Sequence, residues 1–236
     1  MIEIQGLKKS FGKLDVLKGM DLAIEAGKVT AIVGPNGSGK TTMIKSILGL
    51  VKPDDGKLLV NGIKVNGDIS YKKLIGYMPQ IAKFPENLTV AEILHMVKDV
   101  RGQNETLDEE LYHLFHLETE LKKPVRTLSG GTRQKVSAVI AFLFQPQILI
   151  LDEPTAGLDP IASSLLKDKI LRERQNGKTV ILTSHIMSEI QELSDHLAYI
   201  QDGKIFYNGH LLTMLNDTGE SKLERAIARM MEGAEV

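Results

Sequence analysis

Apolar residues recur along this 236-residue chain in two kinds of pattern, and each pattern predicts a different element. Short apolar or alternating runs bounded by Gly, Pro, Asn or Asp predict strands. The runs at 29–33 and 148–151 are apolar nearly throughout, which is typical of parallel strands that are covered on both faces. The predicted strands lie at residues 2–7, within 14–33, at 57–60, in a segment ending at 77–80, and at 148–151, 178–183, 197–201 and 204–207.

Helical periodicity starts after the strand at 29–33, where Ile44, Ile47 and Leu48 fall on one helical face. The predicted helix ends near Gly49. Further helices are predicted at 161–175, directly after residue 185, and in the tail from residue 211.

Residues 82–144 show helical periodicity without a clear strand, which predicts a helical insert. Thr89 and Glu92 have capping-box spacing, so a helix is expected to begin after Thr89. Thr106 and Glu109 repeat this spacing and predict a second box. The last helix of the insert is expected to begin after Gly131 and to end before Pro146.

Composition narrows the function classes. The formal net charge of −1 gives no reason to expect nucleic acid as the main partner. The chain contains no Cys, which excludes disulfides, thiolate metal sites and a cysteine nucleophile. The amino terminus reads neither as a signal peptide nor as a basic transit sequence, and no apolar run approaches the roughly 18 residues that span a bilayer. We therefore expect no membrane span in the chain itself.

A glycine-rich stretch between a predicted strand and a predicted helix matches the phosphate-loop pattern G-x-x-x-x-G-K-[ST]. Its glycines let backbone N–H groups point at a phosphate chain, and the helix N-terminus adds positive charge. Lys40 is expected to reach the terminal phosphates, and the Thr41 hydroxyl to ligate Mg²⁺. The alternative is a turn with an accidental Lys-Thr pair. The predicted binding residues are Gly34, Pro35, Asn36, Gly37, Ser38, Gly39, Lys40, Thr41 and Thr42.

Two carboxylates follow the apolar strand at 148–151, at the strand end where an open α/β sheet places its ligand groups. Asp152 is suited to holding Mg²⁺, usually through water. Glu153 is suited to polarising a water for in-line attack on a γ-phosphate. The alternative is that these residues and Pro154 only end the strand and turn the chain.

A second candidate anion site lies at Ser129, Gly130 and Gly131, before a predicted helix. A hydroxyl, backbone N–H groups and the helix dipole would converge there. An ordinary N-cap serine explains the same pattern equally well. Because one phosphate loop already supplies its own donors, this second site would suit a phosphate bound to another chain.

In this order, the phosphate loop, the Leu-Ser-Gly-Gly segment and the strand ending in Asp-Glu-Pro resemble ATP-binding cassette (ABC) ATPases, the motor subunits of ABC transporters. The resemblance covers about residues 2–210. It implies an α/β fold with a P-loop NTPase (RecA-like) core sheet, an antiparallel β subdomain and a helical insert. The implied division of one domain over 1–236 is a core at about 1–81 and 145–210, a helical subdomain at about 82–144 and a tail at 211–236.

The resemblance also implies roles for single residues. Phe11 would stack on adenine, although tyrosine is commoner there and a core phenylalanine is the alternative. Gln80 would touch Mg²⁺ and the attacking water and report the nucleotide state to a membrane partner. Asp159 would contact the phosphate loop of a second protomer, and His185 would hydrogen-bond the γ-phosphate. The γ-phosphate on the opposite protomer would be clasped by Ser129, Gly130 and Gly131.

Catalysis would then rest on Lys40, Gln80, Glu153 and His185, and the Mg²⁺ ligands would be Thr41, Gln80 and Asp152. His185 is set apart from the other histidines because it follows an apolar strand at the sheet edge where the site should form. A lone histidine is more often structural. We expect that role for His95, His113, His116, His196 and His210.

The chain departs from the family pattern at Thr132, where the signature usually has glutamine. This residue lies past the glycines of the anion site, so we expect catalysis to survive. The segment from Thr132 to Lys135 is similar to ATPases of copper-maturation transporters that serve nitrous-oxide reductase.

The function implied is an ATP-hydrolysing motor of an exporter-type ABC transporter. Two ATP-Mg would join two copies, or one copy and a paralogous ATP-binding subunit, into a dimer that drives a separate integral membrane permease. The chain would be cytoplasmic, held on the inner face of the cell membrane by the permease. A soluble ABC-type switch in repair or translation is one alternative, although such proteins usually carry two cassettes or long coiled coils. A small-molecule kinase or GTPase is a second alternative. Such an enzyme shares the phosphate loop but does not require the Leu-Ser-Gly-Gly segment.

Overall fold

The computed structural model describes residues 1–65, 67–102 and 106–232, which fall into two units. Met1–Lys72 and the chain from Ile181 onward form the first unit, and Lys73–Val180 form the second. The boundaries expected at residues 82, 144 and 211 stay predictions. Outside the described residues lie Asn66, residues 103–105 of the predicted insert and residues 233–236 of the predicted tail.

Strands occur at all the predicted places. They are β1 (Ile2–Phe11), β2 (Leu14–Ile24), β3 (Val29–Val33), β4 (Asp55–Val60), β5 (Ile63–Lys64), β6 (Ile75–Met78), β7 (Ile148–Asp152), β8 (Thr179–Thr183), β9 (His196–Gln201) and β10 (Lys204–His210).

The helices are α1 (Lys40–Ile47), α2 (Val90–Arg101), α3 (Glu110–Leu114), α4 (Gly130–Phe142), α5 (Pro160–Gln175), α6 (Met187–Leu193), α7 (Leu211–Thr218) and α8 (Leu223–Glu232). Short 3₁₀ turns occur at Ser70–Leu74, Leu117–Thr119 and Val125–Thr127. Within the described ranges, no helix is long and apolar enough to cross a membrane.

In the first unit, four strands form an antiparallel sheet in the order β2-β1-β4-β5. Ile2 and Ile4 on β1 and Leu22 and Ile24 on β2 are buried, while the residues between them face outward. This period of two is the pattern of a sheet with one covered face. It is the antiparallel layer that the family resemblance implies.

A second set of strands in the first unit carries the phosphate loop. β3 lies parallel to β9, with Val33 opposite Tyr199, and β9 pairs antiparallel with β10. All five residues of β3 are buried, as its apolar run predicts. α1 follows the loop and ends before Gly49, whose φ of +66° confirms the predicted helix stop.

In the second unit, β6 and β7 are parallel neighbours, with Met78 opposite Leu151. Every residue of β7 is buried, in agreement with the apolar run at 148–151 that precedes Asp152. β8 runs across the boundary, with Thr179 and Val180 in this unit and Ile181–Thr183 in the first. The remaining residues of the second unit are mainly helical.

One of the two predicted capping boxes is real. The Thr89 side chain accepts a hydrogen bond from the Glu92 N–H, and the Glu92 carboxylate accepts from the Thr89 N–H at 2.7 Å. The second box, at Thr106 and Glu109, is wrong. Glu109 is itself the N-cap residue of α3. The first-turn N–H of Glu110 donates to the Asp108 carboxylate at 3.1 Å instead.

The start of α4 also differs from the prediction. The helix includes both glycines of the Leu-Ser-Gly-Gly segment, and Ser129 is its N-cap, accepting from the Thr132 N–H at 3.1 Å. The N-cap alternative for Ser129 is therefore realised in this structure. The predicted stop before Pro146 is confirmed, because α4 ends at Phe142.

Candidate functional site

The phosphate loop, residues 34–39, connects β3 to α1 in a conformation that demands glycine at three positions. The φ angles of Gly34, Gly37 and Gly39 are +151°, +80° and +108°. A Cβ on Gly34 would lie 2.0 Å from the backbone oxygen of Ile200, so no larger residue fits. The glycines of the motif are thus explained by backbone geometry and close packing.

The amino end of α1 is prepared for an anion. Its N-cap is Gly39, and among the described residues no side chain caps this end and no acidic residue lies in its first turn. The first N–H groups of a helix have no partner within the helix, and they attract phosphate. The Lys40 ammonium bends back over the loop and donates to the carbonyls of Gly34 at 2.6 Å and Pro35 at 2.9 Å. Its charge is therefore held over the phosphate loop.

The buried Ser38 side chain is a further indication that this loop binds a polar ligand. Its side chain is 3% exposed, and its hydroxyl has no hydrogen-bond partner among the described residues. A buried polar group left in this way costs about 1–3 kcal/mol. The Ser38 carbonyl, by contrast, accepts from the Gly203 N–H at 3.1 Å, which ties the loop to the β9–β10 turn. The loop residues therefore fit a bound phosphate chain.

Phe11 and His185 also belong to the first unit. Phe11 ends β1 with a ring that is 51% exposed, which rules out a core role and leaves the ring accessible. The Lys9 ammonium lies 5.4 Å from the ring centroid. His185 is exposed in the turn after β8, where the neighbouring Ser184 hydroxyl accepts from the Ile186 N–H at 3.0 Å. This turn sets the direction of the chain before α6.

Gln80 and Asp152 lie at one sheet edge of the second unit, because β6 and β7 run parallel and end together. Asp152 is 7% exposed, while Gln80 is exposed two residues after β6. Burial and the nearby Asp152 carboxylate raise the pKa of Tyr77 to about 12. A buried carboxylate at the carboxyl end of a parallel strand is suited to a hard divalent cation.

Glu153 adopts a backbone conformation that is uncommon for its residue type, with φ of +51°. Such conformations cost of order 1–3 kcal/mol and cluster at functional sites. The Glu153 carbonyl accepts from the Ala156 N–H at 3.1 Å, which closes the turn after β7. The left-handed residue thus sets the direction of its own carboxylate at the strand end.

The Leu-Ser-Gly-Gly segment packs against the loop that contains Asp159. A Cβ on Gly131 would lie 2.7 Å from the backbone oxygen of Gly157, so glycine is required for this contact. Lys135 on α4 donates to the Asp159 carboxylate at 2.6 Å. This hydrogen bond and the Ala162 N–H hold the pKa of Asp159 below its usual range. The contact of Lys135 could not be predicted from the sequence, because nothing in the local pattern distinguishes it from a solvated helix residue.

The departure from the family pattern lies directly beside the signature serine. Thr132 Oγ1 is 2.9 Å from the Ser129 hydroxyl, in addition to the N-cap bond from its N–H. The glutamine that the family usually has at this position carries no hydroxyl group. Thr132 is thus part of the hydrogen bonding that orients Ser129.

The predicted site residues divide between the two units. The first unit carries Phe11, the phosphate loop, Lys40, Thr41, Thr42 and His185. The second unit brings together Gln80 with Asp152 and Glu153, and Ser129, Gly130 and Gly131 with Asp159.

Comparison with known proteins agrees with this geometry. The family model described as ABC transporter matches residues 17–156. The lantibiotic transport ATP-binding protein SrtF of Streptococcus pyogenes is 36% identical over 205 residues, covering 87% of this chain and 89% of its own. The Nod factor export ATP-binding protein I of Ralstonia nicotianae is 32% identical over 214 residues, covering 89% of this chain and 67% of its own.

Solved structures share the fold over most of its length. An ATP-binding subunit of an ABC transporter superimposes with a TM-score of 0.90 and 28% identity, covering 98% of this chain and 99% of its own. A dimeric ATP-binding cassette in a post-hydrolysis state, bound to ADP and Pi, gives a TM-score of 0.78 and 26% identity, covering 89% of this chain and 99% of its own. The predicted fold class is confirmed by these matches.

Proposed function

Because this chain belongs to the ABC transporter family, as an ATP-binding subunit that hydrolyses ATP, we propose that it powers an exporter-type system through a separate membrane permease. The relative named for Nod factor export supports this direction, and the relative named for lantibiotic transport supports a role in transport. The observation that carries the nucleotide-dependent part of the proposal is the amino end of α1 behind the phosphate loop, which no side chain of the described residues caps. The permease would hold the chain at the cytoplasmic face of the membrane.

We assign ATP contacts to the first unit from its geometry. The N–H groups of the loop and of the first turn of α1 point toward the phosphates, and Lys40 neutralises their terminal charge. The orphaned Ser38 hydroxyl is satisfied by the same ligand. The exposed ring of Phe11 provides a stacking surface for adenine.

The residues that would hold Mg²⁺ in this proposal are Thr41, through its hydroxyl, Gln80, through its amide oxygen, and Asp152, through its carboxylate. Oxygen donors of this kind fit a hard cation that retains several waters. When bound, Mg²⁺ supplies charge neutralisation to the phosphates. Asp152 is buried at 7% exposure, which suits a carboxylate whose charge is compensated on binding.

Hydrolysis requires a positioned water and compensation of the charge that develops on the γ-phosphate. Glu153, directed by its left-handed backbone, accepts a proton from the attacking water. His185 donates a hydrogen bond to the γ-phosphate oxygens. Gln80 contacts the same water and connects the nucleotide state to the permease.

A second ATP-binding subunit, a copy of this chain or a paralogue, completes each site. Its Ser129, Gly130 and Gly131 contribute N–H groups at the start of α4, and its Asp159 contacts the phosphate loop. The solved post-hydrolysis cassette, which is a dimer, supports this arrangement. ATP then acts as a ligand that favours the closed dimer over separate subunits.

The relatives support neither the copper-maturation subfamily nor the soluble ABC-type switch. Neither relative's name refers to copper maturation, so the similarity of the segment from Thr132 to Lys135 to that subfamily finds no support. A soluble switch in repair or translation finds none either. Co-purification with an integral membrane protein supports the transporter reading, and its failure under conditions that preserve membrane complexes contradicts it.

The nucleotide site itself is tested by Lys40→Ala, with Lys45→Ala as the matched control on the same helix. Lys45 is exposed and lies in the last turn of α1, at the other end of the helix from the loop. Calorimetry with ATP is expected to show binding to the wild type and to Lys45→Ala, and none to Lys40→Ala. Undiminished affinity in Lys40→Ala would rule out the assigned phosphate cradle.

A further inference from the structure

Three potential metal ligands meet at the end of the first unit that lies opposite the phosphate loop. Glu25 follows β2, His196 begins β9 and His210 ends β10. On the parallel pair β3 and β9, His196 lies opposite Thr30, at the start of β3, whereas the phosphate loop follows the other end of that strand. None of these three residues belongs to the proposed nucleotide site.

The three side chains are close enough to share one ion. Each offers a ligand atom, and these atoms all lie within 4.8 Å of one another. His196 Nε2 is 3.6 Å from Glu25 Oε2. Ligand atoms of a tetrahedral zinc ion, bound at about 2.0–2.1 Å, lie about 3.3 Å apart. The separation between His196 Nε2 and Glu25 Oε2 is close to this value, and the other ligand atoms, within 4.8 Å, would move closer together on binding an ion.

The two histidines are held together by strand pairing. His210 lies directly opposite His196 in the antiparallel pair of β9 and β10. Their ring centroids are 3.9 Å apart, with an interplanar angle of 41°. Neighbouring positions on one sheet are the rigid support that a metal site requires.

His196 points to a ligand through an unpartnered atom. The residue is 8% exposed, and its Nε2 is buried with no hydrogen-bond partner among the described residues. An imidazole nitrogen that has no hydrogen-bond partner is available to bind a metal ion.

We propose that Glu25, His196 and His210 form a binding site for a divalent transition-metal ion, with Zn²⁺ as its representative. Two imidazoles and one carboxylate suit zinc and similar borderline ions, whereas Mg²⁺ and Ca²⁺ prefer oxygen donors. Glu25 and His210 are exposed, which gives an ion access to the site. Water takes the fourth position of a tetrahedral ion, as in sites with three protein ligands.

The proposal is tested by calorimetric titration of the full chain with Zn²⁺, after removal of metals and without nucleotide. Glu25→Gln and His210→Ala remove single ligands at exposed positions. His113→Ala is the matched control, because His113 is also exposed and lies 2.7 Å from a carboxylate, that of Glu118. We expect one Zn²⁺ per chain in the wild type and in the control. Each ligand variant should bind at least about tenfold more weakly, since even the loss of a supporting group costs this much.

Co²⁺ provides a second readout, because its visible absorption bands report coordination by the protein. Bands are expected with the wild type and with His113→Ala, and are expected to weaken with Glu25→Gln and His210→Ala. Glu25→Gln preserves the shape of the side chain. It therefore still tests the site if His210→Ala alters the folding of the β9–β10 hairpin. Absence of one-to-one Zn²⁺ binding in the wild type, or equal affinity in wild type and Glu25→Gln, overturns the proposal and leaves a stacked histidine pair.

Discussion

At the scale of single residues, the candidate site depends on backbone conformations that few side chains tolerate. Gly34 has no room for a Cβ, and Glu153 adopts a left-handed conformation as a non-glycine residue. Gly131 illustrates a different requirement, since its φ is not positive but its Cα lies against the backbone of Gly157. Conformational strain and close packing are thus separate reasons for the residue types in these motifs.

The two glycines of the Leu-Ser-Gly-Gly segment isolate the packing effect, because neither has a positive φ. Gly131→Ala is expected to destabilise the protein by about 1–3 kcal/mol, because its Cβ would lie 2.7 Å from the Gly157 oxygen. Gly130→Ala meets nothing within 4 Å and gains up to about 1 kcal/mol of helix propensity. Thermal unfolding without nucleotide measures both. Equal melting temperatures for the two variants would contradict the packing argument.

At the scale of elements, the structure distinguishes two threonines that the sequence pattern treats alike. Thr89 caps α2 reciprocally with Glu92, and its backbone N–H together with its side chain lowers the pKa of that carboxyl. Thr106 makes no such cap, because α3 begins later, at Glu110. The capping-box spacing is therefore only an indication of a helix start, and the actual start depends on where the chain turns.

We expect Thr89→Ala to cost about 1 kcal/mol of unfolding free energy, the usual value for losing an N-cap. Thr106→Ala is the control. Its side chain is exposed and outside any helix, so stability should change by less than about 0.5 kcal/mol. Chemical denaturation gives both values. A loss at Thr106 equal to that at Thr89 would show that the second box forms in solution.

An ionic network attaches α5 to the start of α3 and the segment before it, within the second unit. Lys169 is 4% exposed and donates to Asp108 at 2.5 Å and Glu110 at 2.8 Å, with Glu173 2.9 Å away. Burial alone would lower the pKa of Lys169, but these hydrogen bonds outweigh it and the net shift is upward. A raised lysine pKa stabilises the fold below about pH 10.4 and loses this effect only at more alkaline pH.

Lys169→Met is accordingly expected to cost about 3 kcal/mol, because it removes a cation from Asp108 and from the buried Glu173, although Lys178 still pairs with Glu173. The cost should be nearly constant from about pH 6 to pH 9. Lys98→Met is the matched control, because Lys98 pairs with Glu109 at the surface, where such pairs contribute at most about 1 kcal/mol. Denaturation at several pH values checks both variants. Similar losses for Lys98→Met and Lys169→Met would argue against a buried network.

At the scale of the whole molecule, the proposed function requires two chains. The phosphate loop and the Leu-Ser-Gly-Gly segment each have a helix N-terminus, and one of them is already capped, by Ser129. The uncapped one belongs to the loop that bears Lys40. The proposed dimer assigns these two anion-binding elements to one ATP but to different chains.

Glu153→Gln tests this assignment. The variant is expected to hydrolyse ATP at least about a hundredfold more slowly, because it loses a general base, while still binding ATP. In saturating ATP it should accumulate as a dimer, with twice the 26.0 kDa mass of one chain by light scattering. Glu224→Gln, a change at an exposed position in the first turn of α8, should behave as the wild type. A Glu153→Gln variant that stays monomeric in ATP would refute the shared site.

The local elements and the motifs could be read from the amino-acid order alone, because they depend on short-range physics. Strand burial follows from apolar runs such as 148–151, and the phosphate loop from glycine and lysine spacing between a strand and a helix. The family followed from several such motifs in order, and the comparisons confirmed it.

Features that depend on register, or on contacts between distant segments, were decided only by the tertiary structure. Counting outward from Gln201 and Lys204 would place Gly209 opposite His196. An irregularity between Ile205 and Tyr207 shifts the register by one residue and brings His210 there instead. The contacts of Lys135 with Asp159 and of Gly131 with Gly157 also depend on the tertiary structure, because they join α4 to the distant segment that follows β7. A sequence pattern specifies which face a residue occupies, whereas its partner depends on how the whole chain packs.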